Sequence, residues 1–299
     1  MVCFILISVD DLIQNAMKIS IVGEKERASA WEKHVRKLSV VKEVVITSNL
    51  QLSDDPNAVL LIDDSSENLQ RLLNSIKAGH HTYLISKLPT DLQLLEKVFH
   101  ASAEANVNVQ FSHWPSLSES MNWIHQQVKK PDLLQIKKES VPRNYRIIDV
   151  EDFEHDWIDE LALVIKWMGG NIHRYEVKPV KLGKIPLGLS ITLRYENSTV
   201  VSMQYLASSA KERHQRLFSN QYIMADFNVT KQKVRLHKLN DLNRIAIQEK
   251  VFDPTDTAEW SVVQFIKSIQ LGQPTLFSPY DALLTARAVN KINALILNN

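Results

Sequence analysis

Residues 78–89 read Ala-Gly-His-His-Thr-Tyr-Leu-Ile-Ser-Lys-Leu-Pro, and this stretch decides the fold. An apolar strand, Thr82 to Ser86, ends abruptly at Lys87, and Pro89-Thr90-Asp91 then begins a helix. In open α/β folds the ligand binds at the carboxyl edge of the parallel strands. The pattern therefore predicts that Lys87 lies at a ligand-binding edge.

Composition limits the function classes. The chain has 299 residues, a net charge of +1 and 23% charged residues, which predicts two ordinary domains and neither a nucleic-acid nor a membrane partner. Cys3 is the only cysteine, so we expect no disulfide framework and a reducing, cytoplasmic location. The apolar run from Met1 to Val9 lacks the features of a signal peptide. We expect residues 1–16 to be an N-terminal extension, with translation starting at Met1 or Met17.

Strands and helices alternate from Met17 to Pro115, which favours a doubly wound parallel sheet of the Rossmann type over residues 17–115. Only about ten residues separate the second and third strands, too few for a crossover helix, so we expect a shortened version. The predicted strands are Lys18 to Gly23, Val40 to Thr47, Ala58 to Asp63, Thr82 to Ser86 and Val107 to Ser112.

Residues 116–299 have a different pattern, with period-2 runs joined by short loops and one long helix, Glu154 to Met168. This pattern predicts a large, mostly antiparallel open sheet flanked by helices. Ser278, Pro279 and Asp281 form a helix start, which predicts a last helix over 279–297. The overall prediction is α/β followed by α+β.

The first strand leads into Gly23-Glu24-Lys25-Glu26-Arg27-Ala28, which has the spacing of a dinucleotide fingerprint. Lys25 stands where the second glycine normally lets the backbone approach the pyrophosphate, and Ala28 takes the tolerated third place. A tight turn that binds no nucleotide is an equally good interpretation of this motif.

Polar residues also follow the next two strands. Ser48 stands where an acidic residue would bind a ribose diol, which disfavours NAD and allows a 2′-phosphate, although no arginine stands nearby to hold one. The third strand is followed by Asp63, Asp64 and Ser65, and the two carboxylates would repel the phosphates of a dinucleotide unless they bind ribose hydroxyls instead. Alternatively, they cap a helix starting near Ser66. Helix capping is the favoured interpretation of the two carboxylates.

These segments together resemble the Gfo/Idh/MocA oxidoreductase family from Met17 to the end of the chain. The resemblance implies a Rossmann domain that binds NAD or NADP, a C-terminal substrate domain, and hydride transfer between nicotinamide and a sugar or polyol carbon. It rests on Lys18–Gly23, Ala58–Asp63, the strand end at Lys87, Trp167-Met168-Gly169-Gly170, Phe265–Gly272 and Ser278–Ala282.

The resemblance also implies catalytic residues. The family's Glu-Lys-Pro motif is similar to Ser86-Lys87-Leu88-Pro89, so Lys87 would hydrogen-bond the reacting hydroxyl and Ser86 would face the cofactor. The family's helical Asp and His pair corresponds to His155 and Asp159 in reversed order, or to His155 alone with one extra helical turn. Either way the two share a helix face, and a surface ion pair is the competing interpretation. We expect Lys87, His155 and Asp159 to converge between the two domains.

Partners follow from the same reasoning. We expect a small sugar-like substrate, and a homodimer or homotetramer formed through the C-terminal sheet, whose strands carry apolar groups on both faces. His80-His81 has no third ligand nearby, so we expect no metal. The basic cluster Lys211 to Arg216 is interpreted as a solvated face. A non-catalytic protein that binds a metabolite or a partner is the alternative, favoured by Lys25, Asp63-Asp64 and Ser86.

Overall fold

The computed structural model describes residues 16–48, 56–141, 150–183, 185–240, 242–253 and 257–297, with the side chains of 150–156 and 185–186 outside that description. The chain forms two compact units. The first contains the residues up to Ser112 together with Ala258–Tyr280, and the second contains His113–Thr257 and the residues from Asp281 onward. The segment Ala258–Tyr280 thus groups with the first unit although it follows the second sheet in sequence.

The first unit is built on a parallel sheet with the strand order β2-β1-β3-β4-β5. Its strands are β1 (Met17–Val22), β2 (Val41–Thr47), β3 (Ala58–Ile62), β4 (His81–Ile85) and β5 (Val109–Phe111). Its helices are α1 (Lys25–Val35), α2 (Asn68–Lys77), α3 (Leu92–Glu104) and, from the later segment, α7 (Thr257–Gln270). The predicted doubly wound parallel sheet is confirmed.

The helices of this unit follow from the sequence. In α2, four apolar residues at helical spacing are buried: Leu69, Leu72, Leu73 and Ile76. Asp91 caps α3, because its carboxylate accepts the backbone N–H of Leu94 at 3.0 Å. The buried hydroxyl of Tyr83 donates to Ser261 at 3.1 Å, which attaches α7 to the central strands.

The second unit contains an eight-stranded sheet with the order β13-β12-β11-β10-β6-β9-β8-β7. The β6–β9 pair is parallel, and the other neighbouring pairs are antiparallel. The strands are β6 (Leu133–Glu139), β7 (Ile172–Leu182), β8 (Ile185–Tyr195), β9 (Val200–Leu206), β10 (Arg213–Ser219), β11 (Ile223–Asn228), β12 (Lys233–Leu239) and β13 (Ile245–Val251). This agrees with the predicted large, mostly antiparallel sheet.

Four helices of the described residues belong to the second unit. They are α4 (Trp114–Leu117), α5 (Glu119–Gln127), α6 (Val150–Met168) and α8 (Pro279–Leu297). Helix α8 begins at Pro279, next to the boundary between the units at Tyr280. Helix α6 is a core helix, since Trp157, Leu161 and Val164 are buried. No helix within the described ranges is long and apolar enough to cross a membrane.

Strand β10 corrects one interpretation. The basic cluster Lys211 to Arg216 was expected to be a solvated face, and Lys211 and Arg213 are indeed exposed, but Arg216 lies on the central strand Arg213–Ser219 and is only 3% exposed. Basic residues usually lie at the surface, and they are buried only when they are paired. Arg216 has such a partner in Glu160.

Candidate functional site

Most of the predicted cofactor residues lie at one edge of the first sheet. Gly23 follows β1, Ser48 follows β2, Asp63–Ser65 follow β3, and Ser86 and Lys87 follow β4. Because these strands are parallel, their carboxyl ends meet at the same edge. This is the edge at which doubly wound sheets bind ligands.

The turn after β1 requires glycine for a packing reason. A Cβ added to Gly23 would lie 2.9 Å from both the carbonyl oxygen and the Cβ of Ile62 at the end of β3. Lys25 is the first residue of α1 and is exposed, whereas Ala28 is fully buried. Gly23 and Ala28 therefore allow the close packing of this turn, whether or not a nucleotide binds.

Asp64 connects three segments of this edge. Its carboxylate accepts a hydrogen bond from Arg27 of α1 at 2.7 Å and another from the backbone N–H of Lys87 at 3.2 Å. Both the Arg27 and Asp64 side chains are 44% exposed. Asp64 thus fixes the backbone position of Lys87, and Arg27 offsets its negative charge.

Asp63 is nearly buried and stabilises the turn before α2. Its carboxylate accepts the backbone N–H of Ser65 at 2.9 Å and lies 3.3 Å from the guanidinium of Arg71. Helix α2 begins at Asn68, and no side chain caps it. The carboxylate of Asp63 therefore supports the turn rather than the helix end, so the favoured capping interpretation is wrong for this residue.

Ser86 anchors the end of β4 to the end of β5. Its backbone N–H donates to the hydroxyl of Ser112 at 3.1 Å, and that hydroxyl donates to the carbonyl of Ser86 at 2.7 Å. The Ser86 hydroxyl itself donates to the carbonyl of Lys87 at 2.7 Å. These bonds hold the backbone of Lys87, whose side chain is exposed.

This edge fits the phosphates of a nicotinamide dinucleotide in one respect and opposes them in another. The N-terminus of α1 has no side-chain cap, which favours an anion there. Lys25 occupies the position where close backbone approach needs a glycine. The paired arginines reduce the repulsion expected from Asp63 and Asp64.

The second unit has a cavity of about 350 Å³ with a mixed polar and apolar lining. Its lining includes two aromatic residues, Trp114, which is 43% exposed, and Phe227. The remaining lining includes Pro115, Ser118, Ser120, Lys138, Asp159, Glu160, His214, Arg216, Val229, Gln232 and Thr257.

A buried charge cluster forms part of the cavity wall. Glu160 of α6 is 2% exposed and accepts hydrogen bonds from Nε of Arg216 at 2.8 Å and from Nη2 of the same guanidinium. Nε2 of His214 lies 2.8 Å from Oε1 of Glu160. Burial alone would raise the pKa of Glu160, but Arg216 and His214 hold it well below its usual range. Glu160 is therefore ionised at neutral pH.

His113 joins the start of α4 to α6. It is fully buried, with Nδ1 at 2.7 Å from the hydroxyl of Ser116 and Nε2 at 2.8 Å from the carbonyl oxygen of Asp159. Since a carbonyl can only accept, Nε2 carries the proton. Burial lowers the pKa of His113 to about 4, an effect only partly opposed by the bond to Asp159. His113 is thus neutral at neutral pH and positions the segment carrying Asp159.

The structure places Asp159 on the cavity wall, whereas the side chain of His155 lies outside the described residues. The predicted His155 and Asp159 pair therefore stays a prediction. Sequence reasoning missed Glu160, His214, Arg216 and His113. The segment Arg213–Ser219 has no alternation of apolar and polar residues, so it carries no clear strand signal in the sequence.

In the part of the chain that the structure describes, no group of three or more His, Cys, Asp or Glu side chains could hold a metal ion.

Comparisons with known proteins find similarity in structure alone. No family model and no curated protein matches this sequence. Among solved structures, a UDP-N-acetylglucosamine 3-dehydrogenase from Acidithiobacillus ferrooxidans is similar, with a TM-score of 0.77, 12% identity and coverage of 93% of this chain and 96% of that one.

Two further structures have the same fold. A dehydrogenase from Clostridium difficile gives a TM-score of 0.74 at 12% identity, covering 93% of this chain and 99% of that one. A scyllo-inositol dehydrogenase from Lactobacillus casei, solved with bound NAD(H) and scyllo-inositol, gives a TM-score of 0.68 at 14% identity, covering 93% of this chain and 96% of that one. At these identities the likeness shows the fold.

Proposed function

We propose that the protein is an NAD(P)-dependent oxidoreductase acting on a sugar-like or polyol alcohol, because the chain has the fold of the Gfo/Idh/MocA dehydrogenases. The observation that carries this proposal is the cavity of the second unit. It combines an exposed indole with charged and neutral hydrogen-bonding groups, which is the chemistry that recognises a ligand rich in hydroxyls.

The size and lining of the cavity support a small ligand. Its volume of about 350 Å³ lies within the usual range for small-molecule sites. Each hydroxyl of a sugar both donates and accepts hydrogen bonds. Asp159 and Gln232 supply acceptors, Lys138 supplies a donor, and Trp114 offers a flat apolar surface for a sugar ring.

The proposed roles keep those that the family resemblance implies. Lys87 hydrogen-bonds the reacting hydroxyl and helps to lower its pKa, and the resemblance implies His155, oriented by Asp159, as the proton acceptor. The dinucleotide, when bound, would supply the hydride acceptor. The residues proposed to hold it are Gly23, Lys25, Ala28, Ser48, Asp63, Asp64, Ser65 and Ser86.

A non-catalytic binding protein is the second candidate function. Lys25 favours it, because a lysine in place of the second fingerprint glycine opposes the dinucleotide. Ser86 favours it as well, since it stands where the family has glutamate. Such a protein would keep the cavity of the second unit and bind a metabolite without turnover.

The proposed assembly is a cytoplasmic homodimer or homotetramer formed through the C-terminal sheet. Large apolar side chains are exposed on the edge strand β13, where Ile245, Ile247 and Val251 are 70%, 61% and 67% exposed. Apolar groups exposed in this number on one strand are typical of an interaction surface. A second copy of this chain is the proposed partner.

Calorimetric titration with NAD⁺, NADH, NADP⁺ and NADPH, followed by turnover assays with scyllo-inositol, glucose and UDP-N-acetylglucosamine, tests the proposed function. Binding of at least one dinucleotide and alcohol-dependent formation of its reduced form are expected. Binding of an alcohol without dinucleotide binding or turnover would favour the non-catalytic candidate.

A further inference from the structure

His214 lies on a strand, whereas His155 and Asp159 lie on helix α6. It lies on β10, two residues before Arg216, so both side chains project from the same face of the strand. Both contact Glu160 of α6. The imidazole of His214 is therefore positioned by its own strand and by its contact with Glu160 of α6.

The hydrogen bonds of His214 define its tautomer. An ionised carboxylate can only accept, so in the neutral form of this imidazole the proton is on Nε2, which faces Glu160 at 2.8 Å. The lone pair of the ring is then on Nδ1, for which the described residues supply no hydrogen-bond partner. A lone pair on a positioned imidazole is what a general base requires.

Within this cluster, the exposed fraction of the side chains increases toward the cavity. The side chains of Glu160 and Arg216 are 2% and 4% exposed, whereas that of His214 is 19% exposed and lines the cavity. The buried ion pair of Glu160 and Arg216 thus supports the imidazole of His214, which is accessible from the cavity. Because Arg216 keeps Glu160 ionised, the carboxylate can stabilise the imidazolium that forms when His214 takes a proton.

Other charged groups also face this imidazole. Lys138 pairs directly with His214 across the β6–β10 register, and both residues line the cavity. Asp159 lines the same cavity from α6. His214 therefore has Glu160, Arg216, Lys138 and Asp159 as its charged surroundings, with acids on the helix and bases on the sheet.

We propose that His214, rather than the His155 that the family resemblance implies, is the proton-transferring catalytic residue of this protein and that Glu160 and Arg216 are its positioning residues. The assignment rests on the proposed oxidoreductase function. In the oxidation direction the substrate O–H bond breaks, its proton goes to Nδ1 of His214, and its electron pair forms the C=O bond. The hydride leaves carbon for an oxidised nicotinamide dinucleotide.

Turnover of His214→Gln tests the catalytic role, with scyllo-inositol, glucose and UDP-N-acetylglucosamine as probes and NAD⁺ or NADP⁺ as oxidant. Loss of a general base typically lowers rates by roughly 10²–10⁴-fold, so we expect kcat to fall at least 100-fold with a much smaller change in KM. Added imidazole should restore part of the rate to His214→Ala. The matched control is His173→Gln, since His173 is exposed on β7.

Imidazole nitrogen NMR of the wild-type protein tests the positioning without a substrate. We expect the Nε2–H tautomer for His214, lost or mixed in Glu160→Gln. A wild-type Nδ1–H tautomer, or turnover by His214→Gln within threefold of wild type, would overturn the assignment while leaving the proposed function intact. Absence of wild-type turnover with every probe would overturn both.

Discussion

Replacing the buried His113 should remove a defined part of the pH dependence of stability. The pKa of His113 falls from 6.5 to about 4 on folding, because the fully buried ring resists protonation. Between these values the unfolded chain binds the proton and the folded protein does not, so stability is lost as pH falls. With about 1.4 kcal/mol per pKa unit, the total loss is about 3 kcal/mol below both values, of which about 2 kcal/mol is lost between pH 7 and pH 5.

Urea unfolding of wild type and His113→Gln at pH 7 and pH 5, followed by tryptophan fluorescence, measures this difference. The glutamine amide can still donate to the carbonyl of Asp159 but has no proton to gain in this range. We expect the free energy of unfolding to fall by about 2 kcal/mol more in wild type than in the variant. His173→Gln, at an exposed site on β7, should behave as wild type. An equal fall in wild type and His113→Gln would refute the reasoning.

Four further outcomes are expected. Glu160→Gln should lower the free energy of unfolding, measured in urea, by about 3–5 kcal/mol, because it leaves the buried guanidinium of Arg216 without its ionic partner. An effect below about 1 kcal/mol would contradict the buried pair. Dinucleotide binding should be weaker than micromolar in wild type and tighter in Lys25→Gly with Asp64→Asn, and sub-micromolar wild-type affinity in calorimetry would be inconsistent with an obstructing lysine. Lys87→Met should lower turnover by roughly 10²-fold or more, or weaken ligand affinity if the protein only binds, and unchanged kinetics would remove its role; a loss of this size in His155→Ala but not in His214→Gln would assign the proton transfer to His155. Light scattering at micromolar concentration should show a dimer or tetramer, and a strict monomer would argue against the proposed assembly.

The architecture could be predicted from sequence because it depends on local patterns. The alternation of apolar strands and helices before Pro115 indicates a parallel sheet, and the period-2 runs after it indicate an antiparallel one. The helix start predicted at Asp91 follows from capping chemistry, and its carboxylate accepts the backbone N–H of Leu94. These signals need only a few neighbouring residues.

The polar cluster of the second unit could not be predicted in the same way. Arg216 and Glu160 are 56 positions apart, and each taken alone is typical of a solvated surface. Their burial is favourable only because the fold brings them together with His214. The cofactor edge was only partly predictable for a similar reason, since the arginine partners of Asp63 and Asp64 come from two different helices.

Dinucleotide-dependent oxidation of an alcohol by the purified full chain tests the proposed oxidoreductase most directly. Reduced-nicotinamide fluorescence would be followed with NAD⁺ and NADP⁺ in the presence of scyllo-inositol, glucose or UDP-N-acetylglucosamine, with Lys87→Met as the matched control. We expect alcohol-dependent formation of NADH or NADPH by wild type and at least a roughly 10²-fold lower rate in the variant. No fluorescence change with any pair, together with no calorimetric binding of any of the four dinucleotides, would contradict the proposal.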